Sequence, residues 1–469
     1  VATLAHVPVP VPVARVPALV VDGRIQSMLS NRIRSWFGKS PVLPIPGTGV
    51  YHFRKGENGN SSRLHLRIDA DGSGILIVNA NQIFHLNPTA ALITYYHLKD
   101  LPAAEALKTI QKNFDVTDSA LKNDIEATHR QIDQLIAGEA CPVCDLDLEI
   151  NAPFSATPSA PYRMDLALTY RCNNSCTHCY NARARNYPEL ETEKWFSILD
   201  KLWNIGIPHI VFTGGEPTLR DDLPVLVNYA EKKGQITGLN TNGRKLGDSA
   251  FLGQLIEAGL DHIQITFESS VPEIHNEMVS HPKAWDETLA GLKNALRLHP
   301  YVMTNTTMLK TNVHTIPDTL RMLGDLGVKT VGLNALIYSG RGKSVGTGLS
   351  EQELFPLLDE AKKITQSYGQ RLIWYTPTQY CNFDPVLNDL GVKGCTAALY
   401  NMCIEPNGDV LPCQSYYQSL GNMLDQPWDS IWNHDLSRSL RERKYLMPKC
   451  STCALVSECG GGCPLSTAV

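Results

Sequence analysis

The sequence predicts an α/β chain: a partial (β/α)6 barrel of the TIM-like kind, preceded by a winged-helix-like module and followed by a cysteine-rich domain. Three observations carry this. From Met164 to about Arg341 one unit recurs, a helix closed by glycine and then a short apolar strand. Residues 51–140 read differently, as small strands followed by three helical patterns. Finally, ten of the thirteen cysteines fall into three knots towards the middle and the end of the chain, with Cys141, Cys144 and Cys381 standing apart.

Residues 1–50 read as an extended, proline-rich lead-in with a basic amphipathic patch at Arg32–Lys39. In 51–140, Leu64, Leu66 and Ile68 alternate, Asp71-Gly72 turns the chain, and Ile75, Ile77 and Ile83 continue a meander of three strands. Asn87 then Pro88 marks a helix start, and helical patterns follow over Ala91–Leu98, Ala103–Phe114 and Leu121–Ile136. A linker at 141–162 leads to the barrel, 163–345, whose strands are expected at Asp165–Thr169, His209–Phe212, Ile236–Asn240, His262–Phe267, Val302–Met308 and Thr330–Leu336. A bridging region, 346–394, and a cysteine domain, 395–469, complete the chain.

Composition narrows the function. At 469 residues there is room for roughly two to four domains. With 42 Lys+Arg against 47 Asp+Glu, the net charge of −5 offers no general attraction to nucleic acid or anionic membrane. No run of eighteen apolar residues exists, and Val1–Val20 is broken by four prolines without a basic start, which makes a poor signal peptide. Cysteines at close spacing in such a chain point to metal ligation in a reducing, cytoplasmic setting.

The sharpest motif is Cys172-Asn-Asn-Ser-Cys176-Thr-His-Cys179, directly after the first barrel strand. Three thiolates within eight residues can hold a [4Fe–4S] cluster by three irons and leave the fourth open to a ligand. A zinc knot needs a fourth ligand, and His178 is sterically awkward between two ligating cysteines. Thr213-Gly214-Gly215-Glu216-Pro217 follows the second strand at the matching end. Together the two motifs resemble the radical S-adenosylmethionine (SAM) superfamily. The resemblance implies that SAM chelates the open iron and that Gly214, Gly215, Glu216 and Pro217 meet its methionyl part, with Glu216 facing the ammonium. Electron transfer would then split the sulfonium C–S bond and release a hydrogen-abstracting radical. Glu268 and Asn305, at later strand ends, fall where family members contact the ribose or methionyl part.

Cys403-x9-Cys413, with Gly408 inside it, and Cys450-x2-Cys453-x5-Cys459-x3-Cys463 resemble the SPASM domain. Carried over position by position, a first auxiliary cluster takes Cys395, Cys403, Cys413 and Cys463. A second takes Cys450, Cys453 and Cys459, so three [4Fe–4S] clusters are expected in all. The family usually adds a last cysteine beyond the position of Cys463, whereas this sequence ends at Val469. Cys381, Cys141 or Cys144 are therefore candidates to close the second cluster, as is an open iron or a lost tail. Cys141-Pro-Val-Cys144 otherwise reads as a linker feature. Cys381 reads as a buried inert thiol or as a hydrogen donor to a carbon radical. No general acid or base is identifiable.

The 51–140 module resembles the recognition element of enzymes that modify ribosomally made (RiPP) peptides. It implies a precursor peptide whose leader adds as a strand to an open sheet edge. The expected enzyme is a radical SAM peptide maturase, fed electrons by a flavodoxin- or ferredoxin-type reductant, that makes a thioether, a C–C crosslink or another radical modification. Rivals are a SPASM enzyme acting on a small molecule or tetrapyrrole, a maturase of a sulfatase-type residue, and a winged-helix redox sensor.

Overall fold

The computed structural model describes residues 43–56, 62–79, 82–114, 117–137, 158–299 and 301–466. The patch at Arg32–Lys39 and the pair Cys141 and Cys144 lie outside them.

The first sheet has four antiparallel strands in sequence order: β1 (Gly49–Lys55), β2 (Ser62–Ile68), β3 (Gly74–Val78) and β4 (Gln82–Leu86). The sequence suggested three. The extra strand, β1, lies at the sheet edge, and its GVYHFRK run buries only Phe53 fully, so it lacks a clear two-residue period. Helices α1 (Pro88–Leu98), α2 (Ala103–Asn113) and α3 (Asp118–Ala137) follow. The start of α1 follows from its chemistry: Asn87 Oδ1 accepts the Ala90 N–H at 2.8 Å, and Pro88 fills the first helical position.

In β2, Leu64, Leu66 and Ile68 enter the module's core with Leu76, Leu86, Leu98 and Leu135. The alternate face, Arg63, His65 and Arg67, is equally buried, because it is pressed against the barrel. Arg63 donates to Glu231, to Asp261 and to the Gln235 carbonyl. His65 Nε2 lies 2.6 Å from the Gly234 carbonyl, and Arg67 reaches the Ala160 and Gly206 carbonyls. Gly206, Gly234 and Asp261 stand just ahead of barrel strands. The module therefore docks on the amino-terminal, bottom rim.

The barrel runs β5 (Arg163–Thr169), α4 (Thr192–Ile205), β6 (His209–Gly214), α5 (Leu223–Lys233), β7 (Ile236–Thr241), α6 (Ser249–Glu257) and β8 (His262–Thr266). It continues with α7 (Pro272–Val279), α8 (Ala284–Leu298), β9 (Val302–Thr307), α9 (Ile316–Asp325), β10 (Thr330–Asn334), α10 (Glu351–Ser367) and β11 (Arg371–Trp374). The sequence suggested six β/α units. The structure adds β11 as a seventh parallel strand from the bridging region, paired in register with β10. Four residues are too short a run for periodicity to reveal. Apolar sides of the strands and helices, such as Leu166, Phe212, Trp195 and Leu199, form the main core.

Two further strands extend this sheet. β12 (Asn401–Ile404) pairs parallel with β5, and β13 (Val410–Leu411) pairs antiparallel with β12. The order is β11-β10-β9-β8-β7-β6-β5-β12-β13. The barrel is thus open, and the cysteine domain is built onto its edge. No helix among the described residues is long and apolar enough to cross a membrane.

Candidate active site

The carboxyl ends of the parallel strands surround a cavity of about 760 Å³. Cys172, Cys176 and Cys179 line it, together with Gly214, Gly215, Glu268 and Asn305. The cysteine loop is held from three directions. From the end of β7, Asn242 Nδ2 donates to Asn173 Oδ1 at 2.6 Å and Arg244 Nη1 to Asn174 Oδ1 at 2.8 Å. From the end of α7, the Met278 and Val279 carbonyls accept the Thr177 and Ser175 N–H groups. From beyond β10, Arg341 Nη1 donates to the Cys176 carbonyl at 2.9 Å, while its backbone N–H bonds the Cys179 carbonyl.

The glycine turn has a mechanical reason. Gly214 has φ 139°, and a Cβ there would meet the Thr169 carbonyl oxygen at 2.1 Å. At Gly215 a Cβ would meet the Arg171 carbonyl oxygen at 2.5 Å. The turn lies directly on the chain leading into Cys172, with Gly215 N–H donating to Thr169 O and Glu216 N–H to Arg171 O.

Two expectations are corrected here. Glu216 does not face the cavity: it is fully buried, and its carboxylate accepts from Thr218 N, Thr218 Oγ1, Thr241 Oγ1 and Asn242 N at 2.7–3.0 Å. Burial pushes this carboxyl above its ordinary range, and those four donors pull it back. It ties the turn after β6 to the turn after β7, with Pro217 buried beside it, behind the wall. Cys381 is exposed rather than buried, and it does not line the cavity, which removes it from reach of a substrate radical there.

Glu268 is buried on the wall, where Oε1 lies 3.1 Å from His178 Nε2 and Oε2 accepts the Thr307 N–H at 2.9 Å. His178, set aside as a metal ligand, thereby pins the cysteine loop to the end of β8. Sequence reasoning also missed Asn242, Arg244 and Arg341, whose only signal was their place just after barrel strands. Asn305 and Asn334 line the cavity, and each keeps a side-chain oxygen buried with no partner in the protein.

The thiol set fits an iron–sulfur cluster. Burial pushes Cys172 up to about 11 and Cys176 well above the usual thiol range, with the neighbouring thiols adding to the shift. The protein itself does not favour thiolates here; metal binding, which displaces the protons, does. Among the described residues no three His, Cys, Asp or Glu side chains converge on a single-ion site. When bound, the cluster supplies one electron to the sulfonium of SAM.

Cys395, Cys403, Cys413 and Cys463 also come together. Cys403 sits on β12 opposite Asp165 of β5, and Cys413 follows β13. Burial raises all four thiols, and Cys413 and Cys463 add to the shift on Cys395, Cys413 to that on Cys403, and Cys463 to that on Cys413, which is pushed up to about 12. Cys463 borders the same cavity as Cys172. Tyr180 spans the two groups: it follows Cys179, its hydroxyl donates to Gln414 beside Cys413, and burial, with Cys179 and Cys403 adding to it, raises that hydroxyl above its ordinary range.

A partial barrel with three cysteines beside a glycine turn at its open end, and a second cysteine group on the same cavity, defines an iron–sulfur enzyme whose chemistry starts from one electron. Residues 166–323 match the model of the radical SAM superfamily, and residues 395–454 match that of the SPASM iron–sulfur cluster-binding domain. The chain carries a radical SAM domain and a SPASM domain, and SAM and iron–sulfur clusters are its cofactors. Among curated proteins, it is 29% identical over 327 residues to an Fe-coproporphyrin III synthase of Methanosarcina barkeri (63% of this chain, 81% of that protein). It is 27% identical over 322 residues to an AdoMet-dependent heme synthase of the same organism (65% and 92%). Among solved structures it resembles Streptococcus suis SuiB bound to its precursor peptide SuiA, with a TM-score of 0.65 at 16% identity over 89% of this chain and 97% of that one.

Proposed function

We propose that the protein is a radical SAM maturase of a ribosomally made peptide. The observation that carries this reading is the four-stranded, three-helix module docked under the barrel, since the likeness to a peptide-bound SuiB extends over 89% of this chain. β1 and β4 end its sheet, so either outer edge can accept a leader as an added strand. Because the module sits at the bottom rim, the substrate must pass the length of a six-residue strand, about 20 Å, to reach the cavity. An extended peptide covers that in roughly six residues.

In this reading Cys172, Cys176 and Cys179 hold the cluster that binds SAM. Gly214, Gly215, Glu268 and Asn305 shape the SAM pocket, with Glu216 and Pro217 acting from behind. Cys395, Cys403, Cys413 and Cys463 hold one auxiliary cluster; Cys450, Cys453 and Cys459 contribute to another. A flavodoxin- or ferredoxin-type protein supplies the electron.

The test is mass spectrometry of candidate precursor peptides, taken from short reading frames beside the gene, after anaerobic incubation with enzyme, SAM and reductant. A leader-dependent mass change is expected; an unchanged peptide alongside vigorous SAM cleavage would reject the reading. The variant with Cys172, Cys176 and Cys179 all replaced by alanine should yield no 5′-deoxyadenosine, and substantial production would reject the cluster assignment.

A second reading, a carboxylate-rich small molecule such as a tetrapyrrole, draws on the two M. barkeri relatives and on the arginines at the cavity. Arg183 and Arg185 share the single carboxylate of Glu405, leaving one excess positive charge among Tyr170, Tyr187 and Tyr417. Turnover of Fe-coproporphyrin III without any peptide would favour it.

A further inference from the structure

We propose that Arg183, backed by Arg185, anchors a carboxylate of the substrate: an Asp or Glu side chain, or the C-terminus, of the peptide, within about four residues of the position that is modified. The anion site stands on geometry; the peptide as carrier of the carboxylate rests on the reading above.

The carboxylate already present, Glu405, is buried and fully occupied. Its Oε1 accepts from the Tyr170 hydroxyl at 3.0 Å, Arg183 Nη2 at 2.7 Å and Arg185 Nε at 3.4 Å, and its Oε2 accepts from Arg183 Nη2 at 2.8 Å. The two guanidiniums are nonetheless unsatisfied. Arg185, whose side chain is 8% exposed, gives Nη1 to the Asn181 and Arg183 carbonyls and leaves Nη2 buried without a partner. Arg183 leaves its Nε in the same state. Glu189, on the same wall, is taken by the Thr169 hydroxyl and lies 3.7 Å from Arg171. Three arginines thus meet two carboxylates at this end of the cavity, which leaves one positive charge in excess.

The surroundings make that excess count. The Arg185 guanidinium carbon lies 3.2 Å from the centroid of the Tyr170 ring, and that of Arg183 lies 4.2 Å from the centroid of Tyr417. The rings keep water from one face of each cation, so an unpaired charge there is costly and an anion is held more strongly than in water. Glu405 and Tyr417 stand behind the wall, whereas Tyr170, Arg183, Arg185 and Tyr187 line the cavity. Arg183, 30% exposed, is the cation that an entering group meets. Its planar fork matches a carboxylate, and a single surplus charge suits a carboxylate better than a phosphate, which brings almost two. Arg183 follows Cys179 by four residues, a span of at most about 14 Å between their Cα atoms. Asn181 Nδ2, donating to the Gly214 carbonyl at 2.9 Å, ties the intervening loop to the glycine turn. An extended peptide held at Arg183 therefore reaches the cysteine loop with roughly its next four residues, and one of them is positioned before any radical forms.

The experiment uses the full chain, reconstituted anaerobically with iron and sulfide, so that the charge of the clusters is present. Glutarate is the probe, titrated at constant ionic strength against the midpoint of thermal unfolding. Arg183→Gln is expected to need at least about tenfold more glutarate than wild type for the same rise, the loss of one charge-assisted hydrogen bond. Glutaramide, of equal length without charge, should leave the wild-type midpoint where it is, and that comparison decides if Arg183→Gln fails to fold. No rise with glutarate, an equal response in Arg183→Gln, or an equal rise with glutaramide would overturn the site. These readouts use no peptide, so their failure is distinct from failure of the peptide reading. For a precursor peptide that the wild type modifies, each core Asp or Glu is changed to Asn or Gln, and the C-terminus is separately amidated. One of these changes should raise KM at least about tenfold, and whichever does names the source of the carboxylate. Arg183→Gln should raise KM for the unaltered peptide more than it lowers kcat. A wild-type KM for every neutralised peptide would overturn the anchoring role.

Discussion

Replacing Arg63 by methionine tests the docking of the N-terminal module while keeping most of the buried stem. The guanidinium donates to Glu231 and Asp261 at 2.6–2.7 Å and to the Gln235 carbonyl at 2.7 Å, with its side chain only 9% exposed. Breaking a buried pair by removing one partner costs about 3–5 kcal/mol. The two carboxylates are about a fifth exposed; Glu231 keeps Arg54, and Asp261 keeps the Thr237 N–H. Water and these partners absorb part of the loss, which places the expected cost at about 3 kcal/mol. At about 1.4 kcal/mol per factor of ten, the undocked population rises roughly a hundredfold. Urea titration should show a loss of stability of about 3 kcal/mol relative to wild type. A loss under about 1 kcal/mol would refute the account of the interface.

The same interface has a pH dependence. Burial lowers His65 to about 3, so the folded chain keeps it neutral, while the unfolded chain takes up a proton below its ordinary value near about 6.5. Its contribution is complete above that ordinary value and is lost as pH falls from there towards about 3. One proton is worth about 1.4 kcal/mol per pH unit, so His65→Gln, which keeps a donor towards Gly234, should flatten the stability-versus-pH slope between about pH 6 and 4 by that amount. An unchanged slope in urea titrations would refute it. At the glycine turn, Gly214→Ala meets both a left-handed backbone and the Thr169 carbonyl. Strain and overpacking each cost about 1–3 kcal/mol, and the variant should lose about 3 kcal/mol together with iron at the Cys172 site; a wild-type urea midpoint would contradict the packing.

The parts of the site that were legible in the sequence are those written in local spacing. Cys172, Cys176 and Cys179 fall within eight residues, and Gly214–Pro217 within four, so the chain itself brings each set to one strand end. What escaped depends on distant partners. Alternation in β2 shows that its two faces differ, but not that Arg63, His65 and Arg67 face another part of the protein rather than water. Glu216 looks like a charge for a ligand until its donors from β7 are seen. β11 is four residues long, and β1 is an edge strand; neither carries enough periodic signal to be separated from a loop. Cys381 read as a buried thiol, a hydrogen donor or a cluster ligand, and its exposure beside Lys449, from the far end of the chain, is not written in its local sequence.

The pairing of β12 with β5 bears on how the enzyme is made. β5 is the first barrel strand to be synthesised, yet the strand that covers its outer edge begins 232 residues after β5 ends, at Asn401. At ribosomal speeds of about 5–20 residues per second, that edge emerges bare for on the order of tens of seconds. An uncovered apolar strand is a template for pairing with another chain, and the sequence MDLAL in β5 has little charge to discourage it. The barrel excised without its C-terminal region should therefore accumulate as aggregate, and the nascent protein should depend on chaperones until Ile404 has left the exit tunnel.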